Sequence, residues 1–160
     1  MSGGRAGSLP GRRVRVHFNL INHCFAVVSV AGPDRGRVIR YATDVTCTSV
    51  RFHVSPSGRA KVQRTGRRNV HAWCTGVVEA IDTGPDLTAL RRVTYNPHRG
   101  ATFYLCQELT AVLYADRVVF AKTAPSAQHG YAWVSPQESA RPAHPAPAPV
   151  PGTGQQARLW

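Results

Sequence analysis

Arg13-Val14-Arg15-Val16-His17-Phe18-Asn19-Leu20 alternates without a break. The even positions are apolar, and the odd ones are Arg, Arg, His and Asn. A period of two is the period of a β-strand, whose successive side chains point to opposite faces. One side of this strand therefore faces a core, and the other carries cationic and imidazole groups. The same pattern returns at Val45–Val54, where Val50, Phe52 and Val54 alternate with Arg51 and His53. It returns again at Val70–Val78, where Val70, Ala72, Cys74, Gly76 and Val78 alternate with His71, Trp73, Thr75 and Val77.

Outward from these three segments, further strands are expected at Phe25–Val30, Arg37–Ala42, Arg91–Asn96, Ala101–Gln107, Val112–Lys122 and Gly130–Val134. Turns are expected at Gly32–Gly36, Thr83–Asp86 and Asn96–Gly100, which are rich in Gly, Pro, Asn and Asp. One helix is signalled: Ser55 at its N-cap, Pro56 at its first position and Gly66 at its end. The fold class is mainly β, a small barrel or a strongly bent antiparallel sheet with one short helix over Pro56–Thr65. Residues 1–11 read as a flexible lead and residues 12–134 as a single domain. Residues 135–160 read as a disordered tail with six prolines, a candidate ligand for a protein partner.

The 160 residues carry 20 Lys+Arg against 8 Asp+Glu, a formal charge of +12. Of the cations, 18 are Arg and only Lys61 and Lys122 are Lys. GC-rich coding favours Arg but does not remove acids. Such a charge favours polyanions, and the planar guanidinium can bind two phosphate oxygens at once. No apolar run is long enough for a membrane-spanning helix, and the first residues lack the apolar segment of a secretory signal, so a cytoplasmic protein is expected. Cys24, Cys47, Cys74 and Cys106 contain no close pair, so free thiols are expected and no metal site or cofactor is indicated. No Gly-rich phosphate loop, nucleophile elbow or acidic cluster is present.

The polar sides of the three patterned segments form the candidate site, provided their strands are neighbours. Arg13, Arg15, Arg51, Arg59, Arg64, Arg67 and Arg68 would meet phosphate, and Trp73 and Tyr95 would stack on bases. That makes nucleic-acid binding, to RNA or single-stranded DNA, the leading expectation. The alternative on the same face is a metal-independent ribonuclease. His71, His53 and His17 would move protons there, since free imidazole titrates near neutral pH. A structural or interaction protein is the third reading.

The set Gly58-Arg59, Arg67-Arg68-Asn69-Val70-His71-Ala72 and Gly76, followed by Tyr95-Asn96-Pro97 and Phe103, resembles small β-domain proteins encoded by bacteriophages. The likeness runs from about Arg12 to Val119. It implies a phage or prophage origin, hence a host-cell cytoplasm, makes the third reading a phage structural or host-interaction protein, and carries no reaction and no residue role.

Overall fold

The computed structural model describes residues 8–106 and 110–136. Its elements are β1 (Arg13–Asn19), β2 (Cys24–Ser29), β3 (Val38–Ala42), β4 (Asp44–Val54), α1 (Pro56–Thr65), β5 (Ala72–Ile81), β6 (Arg91–Thr94), β7 (Tyr104–Leu105), β8 (Tyr114–Lys122) and β9 (Gly130–Val134). All nine strands join one antiparallel sheet in the order β3-β2-β1-β5-β4-β8-β9-β6-β7.

The sheet curls on itself without closing, so the strongly bent sheet, rather than the barrel, is the architecture. Curling is visible at Gly130 on β9, where an added Cβ would lie 2.4 Å from Phe25 on β2 and 2.6 Å from Phe18 on β1. β9 thus meets β1 and β2 across the interior, although β5, β4 and β8 separate them along the sheet. Closure needs a ladder between the two edge strands. β7 is only two residues long and offers too few backbone groups for one.

The concave side holds the core. Val14, Val16 and Phe18 of β1 point inward as their alternation requires, and meet Phe25, Phe120, Val45 and Val50. Phe18 and Phe25 pack edge to face at 5.1 Å. Burying each such side chain contributes about 1.5–3 kcal/mol. Cys47 and Cys74 are buried and all four cysteines are unpaired. Burial pushes the Cys47 thiol up to about 12.

α1 begins where the Ser55 Oγ accepts the Gly58 N–H at 3.2 Å, and it ends at Gly66 in a left-handed conformation, φ 70°. Its bounds match the sequence expectation. Other boundaries differ. The strand expected over Ala101–Gln107 is reduced to Tyr104–Leu105, because Phe103 and Leu105 pair locally with Val112 and Thr110; Gln107 itself lies outside the described residues. The expected lead is anchored at two points from residue 9 onward. Leu9 is buried, and Gly11 donates to the Val78 carbonyl at 2.8 Å. The expected flexibility of residues 1–7, and of the proline-rich tail from residue 137, lies outside the described residues.

Candidate nucleic-acid interface

β1, β5 and β4 are consecutive in the sheet, so their polar sides share the convex face. Register aligns them residue by residue. Arg15 pairs with Thr75, and Thr75 pairs with Arg51. The next outward row has Trp73 paired with His53, and His17 follows the Val16–Cys74 pair on the other side. Arg13 lies opposite Val77. Strands are spaced at about 4.8 Å, so Arg15 and Arg51 start about 10 Å apart with Thr75 between them.

The orientation of Arg51 and His53 depends on an irregularity in β4. Val45 and Cys47 face the core, and so do Val50 and Phe52, which have the opposite parity. Between them the register against β5 slips, from Thr48–Val77 to Arg51–Thr75. Ser49 takes a left-handed φ of 50° at this point. An extra residue in one strand flips every later side chain to the other face. Without the slip, Arg51 and His53 would point into the core.

On this face the Arg15 guanidinium lies 5.5 Å from the centre of the Trp73 ring. The His53 ring stacks on Trp73 with centroids 5.9 Å apart and planes 19° apart. His53 Nε2 is 2.9 Å from the Thr75 hydroxyl. The result is a cation–aromatic–imidazole ladder running across three strands. The Arg15 Nε and the His17 Nδ1 are buried without a hydrogen-bond partner, an arrangement that costs stability.

Among the described residues, no carboxylate pairs with Arg13, Arg15 or Arg51. Two acids are engaged elsewhere, in Arg40–Asp82 at 2.9 Å and Arg117–Glu79 at 3.0 Å. The histidines respond first to burial and then to the neighbouring arginines. Burial, reinforced by Arg15, lowers His17 to about 4. Burial, with Arg51 and Arg13, holds His53 below its ordinary value. Both rings are therefore neutral at pH 7, and the guanidinium groups carry the charge.

The remaining candidates separate. Arg68 reaches the same end of the face, where the Arg68–Val70 segment lines a cleft with His17–Ile21. Arg64 and Arg67 are exposed on and beyond α1. Arg59 is a strut: its Nε donates to the Pro97 carbonyl at 2.9 Å, as the Gln63 amide does at 3.1 Å.

His71 and Tyr95 do not belong to the face, which corrects the sequence expectation for both. They are 2% and 1% exposed. β5 starts only at Ala72, so the alternation does not extend back to Val70 and His71. The His71 Nδ1–H donates to the Asn69 carbonyl (3.1 Å) and side-chain oxygen (2.9 Å), and the Tyr95 hydroxyl donates to Nε2 at 3.1 Å. The Ser55 N–H donates to the His71 carbonyl at 2.6 Å. Gly58 approaches so closely that a Cβ there would lie 2.3 Å from the His71 Cβ. Tyr95 then leads through Phe103 to Phe52, with ring centroids 5.2 and 5.0 Å apart. This junction fastens α1, the start of β5 and the loop after β6. Burial lowers His71 to about 4, opposed by its bond to Asn69 and assisted by Arg59.

A second cationic and aromatic cluster lies outside the candidates the sequence suggests. The Arg92 guanidinium lies 4.6 Å from the Tyr131 ring centre and donates to the Cys106 sulfur at 3.1 Å. Arg92 pairs with Trp133 across β6 and β9. Its sequence signal is the alternation of Tyr131 and Trp133 in the last strand.

A family model described as the Mycobacterium phage L5 gene 82 protein matches residues 8–128. The chain belongs to that family. The gene 82 protein of Mycobacterium phage L5 is 34% identical over 94 residues, covering 59% of this chain and 73% of that protein. No solved structure matches. The family match spans both the convex face and the His71 junction, and it bears out the phage resemblance. The gene 82 name carries no reaction, so a functional reading rests on the face itself. No helix among the described residues is long and apolar enough to cross a membrane.

Proposed function

We propose that the convex face of β1, β5 and β4 binds single-stranded nucleic acid, RNA or DNA, in the cytoplasm of the phage's host. The observation that carries this reading is the register that sets Arg15, Thr75 and Arg51 in one row beside Trp73 and His53, with no carboxylate paired to the arginines among the described residues. Arg13, Arg15 and Arg51 supply the phosphate contacts and release counterions, which makes affinity depend on salt. The half-exposed Arg15–Trp73–His53 ladder gives a base planar groups to stack on, which is sequence-tolerant because every base has a π-face. A sheet presents such a platform to splayed bases. Bases splayed from a single strand can reach that platform and bases stacked inside a duplex cannot, which favours single strands over duplex.

The ribonuclease reading gains less. Cleavage needs a protonated donor for the leaving oxygen. His17 and His53 are neutral at pH 7, and His71 is committed to the junction with Tyr95 and Asn69.

Fluorescence anisotropy with a labelled ten-nucleotide single strand tests the binding. Affinity is expected to fall as salt rises, with a logarithmic slope of about −0.7 per phosphate contact. Arg13→Ala with Arg51→Ala is expected to flatten that slope by about 1.4. Affinity that ignores salt, or that survives the double substitution unchanged, would contradict the proposal.

A further inference from the structure

At the end of the basic face, the turn after β1 and the segment before β5 enclose a cleft of about 310 Å³. Its lining includes His17, Asn19, Ile21, Arg68, Asn69 and Val70. That volume is at the small end of ligand sites and suits one base better than a larger group. Ile21 is 89% exposed and Val70 56% exposed, an unusual pair of bare aliphatic side chains flanking one opening.

The polar groups of the cleft are biased toward donation. The Asn19 side-chain oxygen accepts the Ile21 and Asn22 N–H groups, both at 2.9 Å. The Asn69 side-chain oxygen accepts the His71 Nδ1–H at 2.9 Å. The Asn19 amide thus uses both lone pairs of its oxygen on the turn and the Asn69 amide one of its two, while both keep the NH2 to offer. Arg68 adds a guanidinium, a donor only. His17 is neutral at pH 7, and because its Nδ1 is buried, the lone pair it can turn to a base is that of Nε2.

We infer that this cleft takes one unstacked uracil or thymine base from the strand on the neighbouring face, with Arg68 on its phosphate. The inference rests on the proposed binding face and deepens it by naming the base. Uracil and thymine present two ring carbonyls for the amide donors, and between them an N–H that suits the His17 lone pair. Adenine and cytosine present an amino group where the cleft offers NH2 donors, and two donors facing each other repel. The aliphatic rim covers the faces of the base.

The test compares labelled U10 and A10 RNA on the full chain by anisotropy at one fixed salt concentration. U10 is expected to bind about tenfold more tightly, the discrimination of one good bidentate contact. Asn19→Asp keeps the acceptor that holds the turn and replaces the NH2 with a carboxylate oxygen. It is expected to leave the circular dichroism spectrum unchanged and to bring the U10:A10 ratio close to one. A uniform loss for both strands, with the ratio preserved, would mean that only charge had changed, and would overturn the cleft assignment. Equal binding of U10 and A10 by the unaltered chain would overturn it too, leaving the face intact. Failure to bind either strand at low salt would remove the face and the cleft together.

Discussion

His71 shows how one residue decides between chemistry and architecture. In the sequence it follows Arg67-Arg68-Asn69 and shares the parity of Trp73, which points to the basic face. In the structure it is a bridge between Asn69 and Tyr95, with Gly58 pressed on its Cβ. The residues of the phage resemblance are legible as a set, but their meeting is not. Gly58, His71 and Tyr95 are far apart in the chain, and no local pattern records that contact. Tyr95→Phe is expected to leave His71 Nε2 buried and unsatisfied, lowering stability by about 1–3 kcal/mol in a denaturant melt without changing oligonucleotide affinity. Gly58→Ala raises helix propensity yet forces a Cβ onto His71. It is expected to destabilise by about 1–3 kcal/mol, the cost of overpacking, and a stabilised melt would contradict the junction. Trp73→Ala removes a stacking surface from the proposed interface and is expected to weaken single-strand binding by about tenfold.

At the scale of elements, alternation alone makes β1, the second half of β4 and most of β5 legible in the sequence. The helix is legible because Ser55, Pro56 and Gly66 each have a separate mechanical reason to be there. The slip in β4 is not. Thr46-Cys47-Thr48-Ser49 carries no glycine at the left-handed position, which Ser49 fills instead. Its counterpart on β5 is Gly76, where a Cβ would lie 3.0 Å from the Thr48 carbonyl oxygen and 3.0 Å from Val50. Gly76→Ala is therefore expected to destabilise by about 1–3 kcal/mol. Because the slip aims Arg51 and His53 outward, the same change is expected to weaken single-strand binding more than Tyr95→Phe does. Equal effects of the two on binding would argue against that role for the slip.

For the whole molecule, the order of strands is hidden from the sequence. β1 lies beside β5, not beside any strand close to it in the chain except β2, and that single adjacency makes one face from three segments. Charge is legible from composition alone, but the placing of Arg13, Arg15 and Arg51 on one side of neighbouring strands is not. The pH response also belongs to this scale. His17 and His71 titrate at about 4 in the folded chain and near 6.5 when unfolded. Between those values the unfolded chain binds more protons, so stability is complete above pH 6.5 and is lost as pH falls toward 4. Tm is expected to drop steadily on acidification from about pH 7 to about pH 4.5, and a flat profile would contradict the burial of these two rings.

The central claim is that the convex face of β1, β5 and β4 is where a single strand lies. An amide and indole chemical-shift map of the protein titrated with a ten-nucleotide strand at low salt tests it most directly. The account expects the shifts to concentrate at Arg13–His17, Arg51–His53 and Trp73–Thr75, with the Trp73 indole moving. Shifts centred on Arg92, Tyr131 and Trp133, or a spectrum that does not change, would contradict it.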